Sequence, residues 1–179
     1  RMMLGGLMGI TGGALANSAF AASGGASDMV QPLQPLRNGF RPCRFGQIHY
    51  RFSQPEAGGG ALPLLCLHAS PGSSLYDADF LQIIGRDRLA IAPDTPGYGL
   101  SDRPQTPATI ADYAGAVSDL VDELGLRQID LLGNHTGAAT ALELALKRPD
   151  LVRRIILNSA MMYRPEDIVD MRSRVSAIA

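Results

Sequence analysis

Gly133-Asn134-His135-Thr136-Gly137 is the stretch on which the reading of this chain turns. It has the spacing of a nucleophile elbow, G-x-Nu-x-G, but carries histidine at the centre, where a nucleophile belongs. An apolar run over 129–132 leads in and small residues at helical spacing over 138–146 lead out, so the order is strand, sharp turn, helix. Such a turn needs glycine two positions either side of its centre, because strand and helix backbones approach there too closely for a Cβ. Gly133 and Gly137 meet that need around His135. Centring the turn on Thr136 would put Asn134 and Ala138 at the tight positions, a poorer fit.

Outward from the turn, strands and helices alternate. Residues 40–45 and 48–52 read as two short strands meeting in a hairpin at Gly46-Gln47, followed by a loop over 54–60. The run 62–67 is continuously apolar and too short for a typical helix, which suits a strand covered on both faces. Phe80, Leu81, Ile83 and Ile84 imply a short helix, and 89–92 the next buried strand. Ile110, Tyr113, Val117, Leu120, Val121 and Leu124 recur at helical spacing up to Gly125, with Thr109 as N-cap and Asp112 three residues on. A strand at 129–132, a helix at 137–147 stopped by Pro149, and a strand at 154–158 complete the series. The fold class is therefore α/β, with a mainly parallel sheet and helices on both faces. In open sheets of this kind ligands bind beyond the carboxyl ends of the strands, where His68, Asp94 and His135 all fall.

At 179 residues and 46% hydrophobic, the chain suits one globular domain. A net charge of -1 with interspersed signs gives no electrostatic argument for nucleic acid or an anionic membrane surface, and points to a small-molecule partner. His49, His68 and His135 form no ligand cluster in sequence and no zinc-type cysteine spacing occurs, so neither a metal nor another cofactor is expected. His49, in the early hairpin, reads as a surface or strand residue. Cys43 and Cys66 fall in different strands; the choice is between a disulfide and a buried free thiol at Cys66. A nucleotide-binding reading is weaker, since G-x-G-x-x-G spacing and a P-loop lysine are both lacking. Oligomeric state is not legible.

The N-terminal part has a different character. Residues 2–15 are uncharged, apolar and glycine-rich, shorter than the ~20 residues a bilayer-spanning helix needs, and are followed by the small-x-small site Ala19-Phe20-Ala21. Residues 1–21 thus read as an export signal, with Arg1-Met2-Met3-Leu4-Gly5 resembling the tail of a twin-arginine type. The expectation is a periplasmic or secreted protein without a stable membrane span after cleavage. Residues 22–38 read as a linker, 39–160 as the core, and 161–179 as the start of a helical lid, with Ile168, Met171, Val175 and Ile178 at helical spacing.

Three motifs in fixed order carry a family resemblance: His68-Ala69-Ser70-Pro71-Gly72 after the third strand, Asp94-Thr95-Pro96-Gly97-Tyr98-Gly99-Leu100-Ser101-Asp102 after the fourth, and the elbow after the fifth. Over about 40–160 the chain resembles the N-terminal half of an α/β-hydrolase-fold protein, in the subgroup of esterases, epoxide hydrolases, haloalkane dehalogenases and carbon-carbon bond hydrolases. The resemblance implies an oxyanion hole built from the backbone N–H of Ser70, or of Ala69, together with that of Thr136. The Thr136 amide also opens a helix, where the dipole favours negative charge. It implies structural roles for Gly133, Gly137 and His68, and loop-bracing ones for Asp94 and Asp102.

The pattern breaks at the elbow's centre. Family members place Ser, Asp or Cys there and draw a carboxylate and a histidine from later in the chain. Here the strand ending at Asn158 carries no carboxylate, so the expectation is a C-terminally truncated fold whose partners lie downstream. His135 has three chemical readings: a nucleophile forming an acyl-imidazole, a general base activating water or a carbon acid, or an inert residue in a pocket that binds without turnover. Ser70, Ser73 and Ser74 read as turn hydroxyls, and the Thr136 side chain is expected to point away if His135 takes the apex. The activity implied is hydrolysis of a small apolar ester, epoxide or related carbonyl compound; the alternative is a non-catalytic small-molecule binder.

Overall fold

Two buried layers, one on each face of a six-stranded sheet, hold the fold together. The computed structural model describes residues 32–160. The export signal, most of the linker and the lid segment read from the sequence lie outside the described residues.

Strands β1 (Arg37–Cys43) and β2 (Gly46–Ser53) form an antiparallel hairpin, followed by β3 (Leu64–Leu67), helix α1 (Ala78–Ile84), β4 (Ala90–Pro93), α2 (Ile110–Glu123), β5 (Ile129–Asn134), α3 (Thr136–Lys147) and β6 (Val152–Asn158). A 3-10 turn at Ser74–Asp77, not visible in the hydrophobic pattern, precedes α1. In space the order is β1-β2-β4-β3-β5-β6; β2 meets β4 antiparallel, and β3, β4, β5 and β6 pair in parallel. The expected α/β architecture with a mainly parallel sheet is the observed one.

Strand β3 shows why its sequence is apolar throughout. Successive side chains of a strand point to opposite faces. Leu65 and Leu67 accordingly join Ile91 and the apolar sides of α2 and α3, while Leu64 and Cys66 join Leu81 of α1, Ala90 and Ala92. Leu65, Ile91, Leu120, Leu131 and Leu144 are all at most 1% exposed. Burial of each such side chain contributes roughly 1.5–3 kcal/mol. Helix α2 starts with a complete capping box: Thr109 Oγ1 accepts the Asp112 amide at 3.2 Å, and Asp112 Oδ2 accepts the Thr109 amide at 2.8 Å. At the far edge β6 has no further strand beside it among the described residues, and Ile156 is 60% exposed.

Two readings are corrected. Cys43 pairs with Gly46, so the hairpin turns at Arg44-Phe45 rather than at Gly46-Gln47. Gly46, at φ 112°, opens β2, where the Asp102 carboxylate lies against it and accepts the Gln47 amide at 2.7 Å; a Cβ would collide with that carboxylate. The turn itself is fixed by Arg44, whose backbone and guanidinium donate three 2.9 Å hydrogen bonds to Asp119 of α2. Of the two readings for His49 the strand one holds and the surface one does not: it lies in β2, fully buried, on the face opposite Ile48 and Tyr50. Both cysteines are free thiols, and burial pushes that of Cys66 up.

Candidate active site

The elbow is built by close backbone approach. A Cβ on Gly133 would lie 2.5 Å from the Ala138 Cα, so the incoming strand and outgoing helix leave no room for one. At Gly137 the obstruction comes instead from β3, since a Cβ there would strike the Leu67 carbonyl. His135 sits between them at φ 54°, ψ -111°, a region that L residues rarely adopt and that costs of order 1–3 kcal/mol. Its backbone is pinned on both sides: the N–H donates to Asn158 O at 2.9 Å, and the C=O accepts the Ala138 amide at 3.0 Å. The side chain is only partly buried.

The loop after β3 meets the elbow. The Ser70 amide donates to Thr136 Oγ1 at 3.4 Å, so the β3 loop and the first residue of α3 are in contact. Thr136 Oγ1 also lies 3.4 Å from His135 Nδ1. The side chain of Thr136 therefore turns toward the site; the expectation that it would point away is corrected, because helix α3 begins at Thr136 itself and its first turn directs that Cβ back toward the loop. The Ser70 hydroxyl is buried without a hydrogen-bond partner. Ser73 caps the 3-10 turn by accepting the Leu75 amide, and Ser74 Oγ accepts from Arg51.

His68, 2% exposed, has both ring nitrogens engaged. Thr95 donates its amide to Nε2 at 2.9 Å, so the ring proton is on Nδ1, which donates to Ala69 O at 2.9 Å. Asp94, fully buried, is still more heavily held. It accepts the Ser74 amide at 2.7 Å, the Leu100 amide at 2.8 Å and the His49 Nδ1–H at 2.8 Å. Burial alone would push this carboxyl up, but the Ser74 hydroxyl and amide, the Leu100 amide and the His49 ring outweigh it and hold it below the usual carboxylate range. Nearby, burial raises the Asp77 carboxyl, against a smaller opposing pull from His68. Its Oδ2 is buried with no partner.

Reading the sequence missed the His49–Asp94 pair and the Thr136 side chain. Alternation along β2 does put His49 on the face away from Ile48 and Tyr50, a usable signal for burial; no local pattern reports the Thr136 contact, which depends on a loop 66 residues away. A hollow of about 540 Å³ lies on the α1 face, lined by Leu64, Phe80, Ile84 and Ile156, and a smaller one beside Tyr98 and Tyr113; neither is lined by His135. Among the described residues no three His, Cys, Asp or Glu side chains gather into a metal-binding group, and no helix is long and apolar enough to cross a membrane.

A strand-turn-helix apex, facing a β3 loop at the carboxyl edge of a mostly parallel sheet, defines a class of α/β proteins with a sharp turn between strand and helix. Comparison with known proteins narrows it. The profile of the alpha/beta hydrolase fold matches residues 63–175, and the chain belongs to that family. It is 32% identical over 143 residues to haloalkane dehalogenase 2 of Mycobacterium tuberculosis, covering 79% of this chain and 48% of that one. With 2-hydroxymuconate semialdehyde hydrolase of a Pseudomonas species it shares 35% over 103 residues, 55% of this chain and 36% of the other. Among solved structures it superposes on the epoxide hydrolase CorEH with a TM-score of 0.63 at 26% identity, over 68% of this chain and 41% of that one. For haloalkane dehalogenase DbeA from Bradyrhizobium elkani the TM-score is 0.65 at 28% identity, over 71% and 43%. The chain spans less than half the length of each of these relatives.

Proposed function

We propose that the full-length protein is a hydrolase acting on a small, rather apolar ester, epoxide or related carbonyl compound, with His135 as the base at the reaction centre. The observation that supports this reading is the neighbourhood of the ring: an imidazole held at a strained apex, beside the Ser70 and Thr136 amides, with Nε2 free of any partner among the described residues. For an ester, Nε2 takes a proton from water as the water oxygen attacks the carbonyl carbon. The Thr136 amide, at the start of α3, holds the resulting oxyanion, and the Ser70 amide joins it by leaving Thr136 Oγ1. Collapse expels the alkoxide, which recovers the proton from the imidazolium, so that ester and water become acid and alcohol. General-base catalysis of this kind supplies about 10²- to 10⁴-fold. Attack by the imidazole itself, through an acyl-imidazole, would use the same groups.

The test is His135→Ala in the full-length protein, assayed on panels of p-nitrophenyl esters, epoxides and haloalkanes. Loss of turnover by about 10²-fold or more with folding intact supports the reading; unchanged turnover overturns it. A second reading, a binder without turnover, draws on the fact that no carboxylate contacts the His135 ring among the described residues. Tight ligand binding by wild type with no turnover on any panel would select it. Export to the periplasm or medium belongs to the same proposal. N-terminal sequencing of exported protein should begin near residue 22, and retention of 2–15 would refute it.

A further inference from the structure

We infer that the Thr136 hydroxyl is a positioning residue for His135, receiving the Nδ1 proton so that the lone pair stands on Nε2. This rests on His135 being the base of the proposed hydrolysis. Which imidazole nitrogen is protonated is set by the hydrogen bond the other one makes. For His68 two partners decide it, the Thr95 amide and the Ala69 carbonyl. For His135 the described residues offer one, Thr136 Oγ1, at 3.4 Å.

A hydroxyl oxygen has two lone pairs, so Oγ1 can accept the Ser70 amide and the His135 Nδ1–H at once and still have its own proton to donate. In the opposite arrangement the hydroxyl donates to Nδ1 and the ring proton moves to Nε2. That nitrogen could then take no proton from water. The 3.4 Å separations lie at the outer edge of hydrogen bonding, a length that catalytic pairs show before substrate tightens the site. The backbone that carries the hydroxyl is held in the first turn of α3, where the Thr136 carbonyl accepts the Thr140 hydroxyl at 3.1 Å. One oxygen atom thus orients the base, the task that a carboxylate performs in a catalytic triad.

The test uses the full-length protein with p-nitrophenyl butyrate as the probe. Thr136→Val keeps the shape and removes the acceptor, while Thr136→Ser restores the hydroxyl. The expected result for Thr136→Val is a kcat about tenfold or more below wild type with KM unchanged, rescued by Thr136→Ser. Nitrogen-15 NMR of the His135 ring should show the proton on Nδ1 in wild type and Thr136→Ser, and on Nε2 in Thr136→Val. A wild-type ring protonated on Nε2 would overturn the inference, whether or not the variants fold. So would a Thr136→Val enzyme with wild-type kcat while His135→Ala is inactive. Full turnover by His135→Ala, by contrast, is a failure of the hydrolase reading, and is distinguished from these by that variant alone.

Discussion

The Asp94 region and the His135 elbow lie at the same edge of the sheet and are built on opposite principles. Around Asp94 hydrogen bonds of 2.7–2.9 Å converge: the carboxylate holds two amides and the His49 ring, and the next amide, Thr95 N–H, holds His68. At the elbow the backbone is pinned as tightly, at 2.9–3.0 Å, yet among the described residues the ring it presents has a single partner, at 3.4 Å. Two histidines are thus buried and hydrogen-bonded, His49 with its Nε2 buried and unpartnered, and the third, His135, is strained and partly exposed. A buried ring fixes the geometry of the groups it bonds, whereas a ring open to solvent can be reached by another molecule.

The contrast is broken most severely at Asp94. Asp94→Ala leaves the Ser74 and Leu100 amides and the His49 N–H buried without their acceptor, and should lower unfolding stability by about 3–5 kcal/mol, measured by urea denaturation. The effect has a pH signature. The folded carboxyl titrates below its ordinary value, so its contribution is fully present above about pH 4 and is lost as pH falls through the depressed folded value. The gap between wild type and Asp94→Ala should therefore narrow in strong acid; a gap constant with pH would show that the carboxylate is not the brace. Gly137→Ala follows in size. Its new Cβ meets the Leu67 carbonyl, backbone rather than a yielding side chain, and a loss of about 1–3 kcal/mol is expected, with catalysis falling as the elbow shifts. The smallest effect has the opposite sign. His135→Gly releases the φ 54° strain and should raise the thermal midpoint slightly, by the equivalent of up to about 1 kcal/mol, while turnover is lost. A destabilised His135→Gly would mean that the elbow ring, like His49, is a structural part.

Much of this was legible because it is local. The apolar run of β3 announces burial on both faces, Thr109 and Asp112 spell a capping box three residues apart, and Gly133 and Gly137 bracket the apex. What escaped reading involves contacts between distant segments. Gly46 looked like turn glycine, but its freedom serves the approach of Asp102, 56 positions later; Arg44 could move into the turn because Asp119 receives it there. His49 carried no local sign of its partner on the β4 loop, and Thr136 none of Ser70.

Hydrophobic period, turn chemistry and the placing of glycine recur within a few residues along the chain, and these alone determined the succession of elements, the α/β class and the sharp apex that lifts His135 out of a strand. Which strands became neighbours, which histidine was buried against a carboxylate and which loop came to lie on the apex were decided only when segments 45–75 residues apart came into register, since hydrogen bonds across such loops leave no periodic trace in the order of residues.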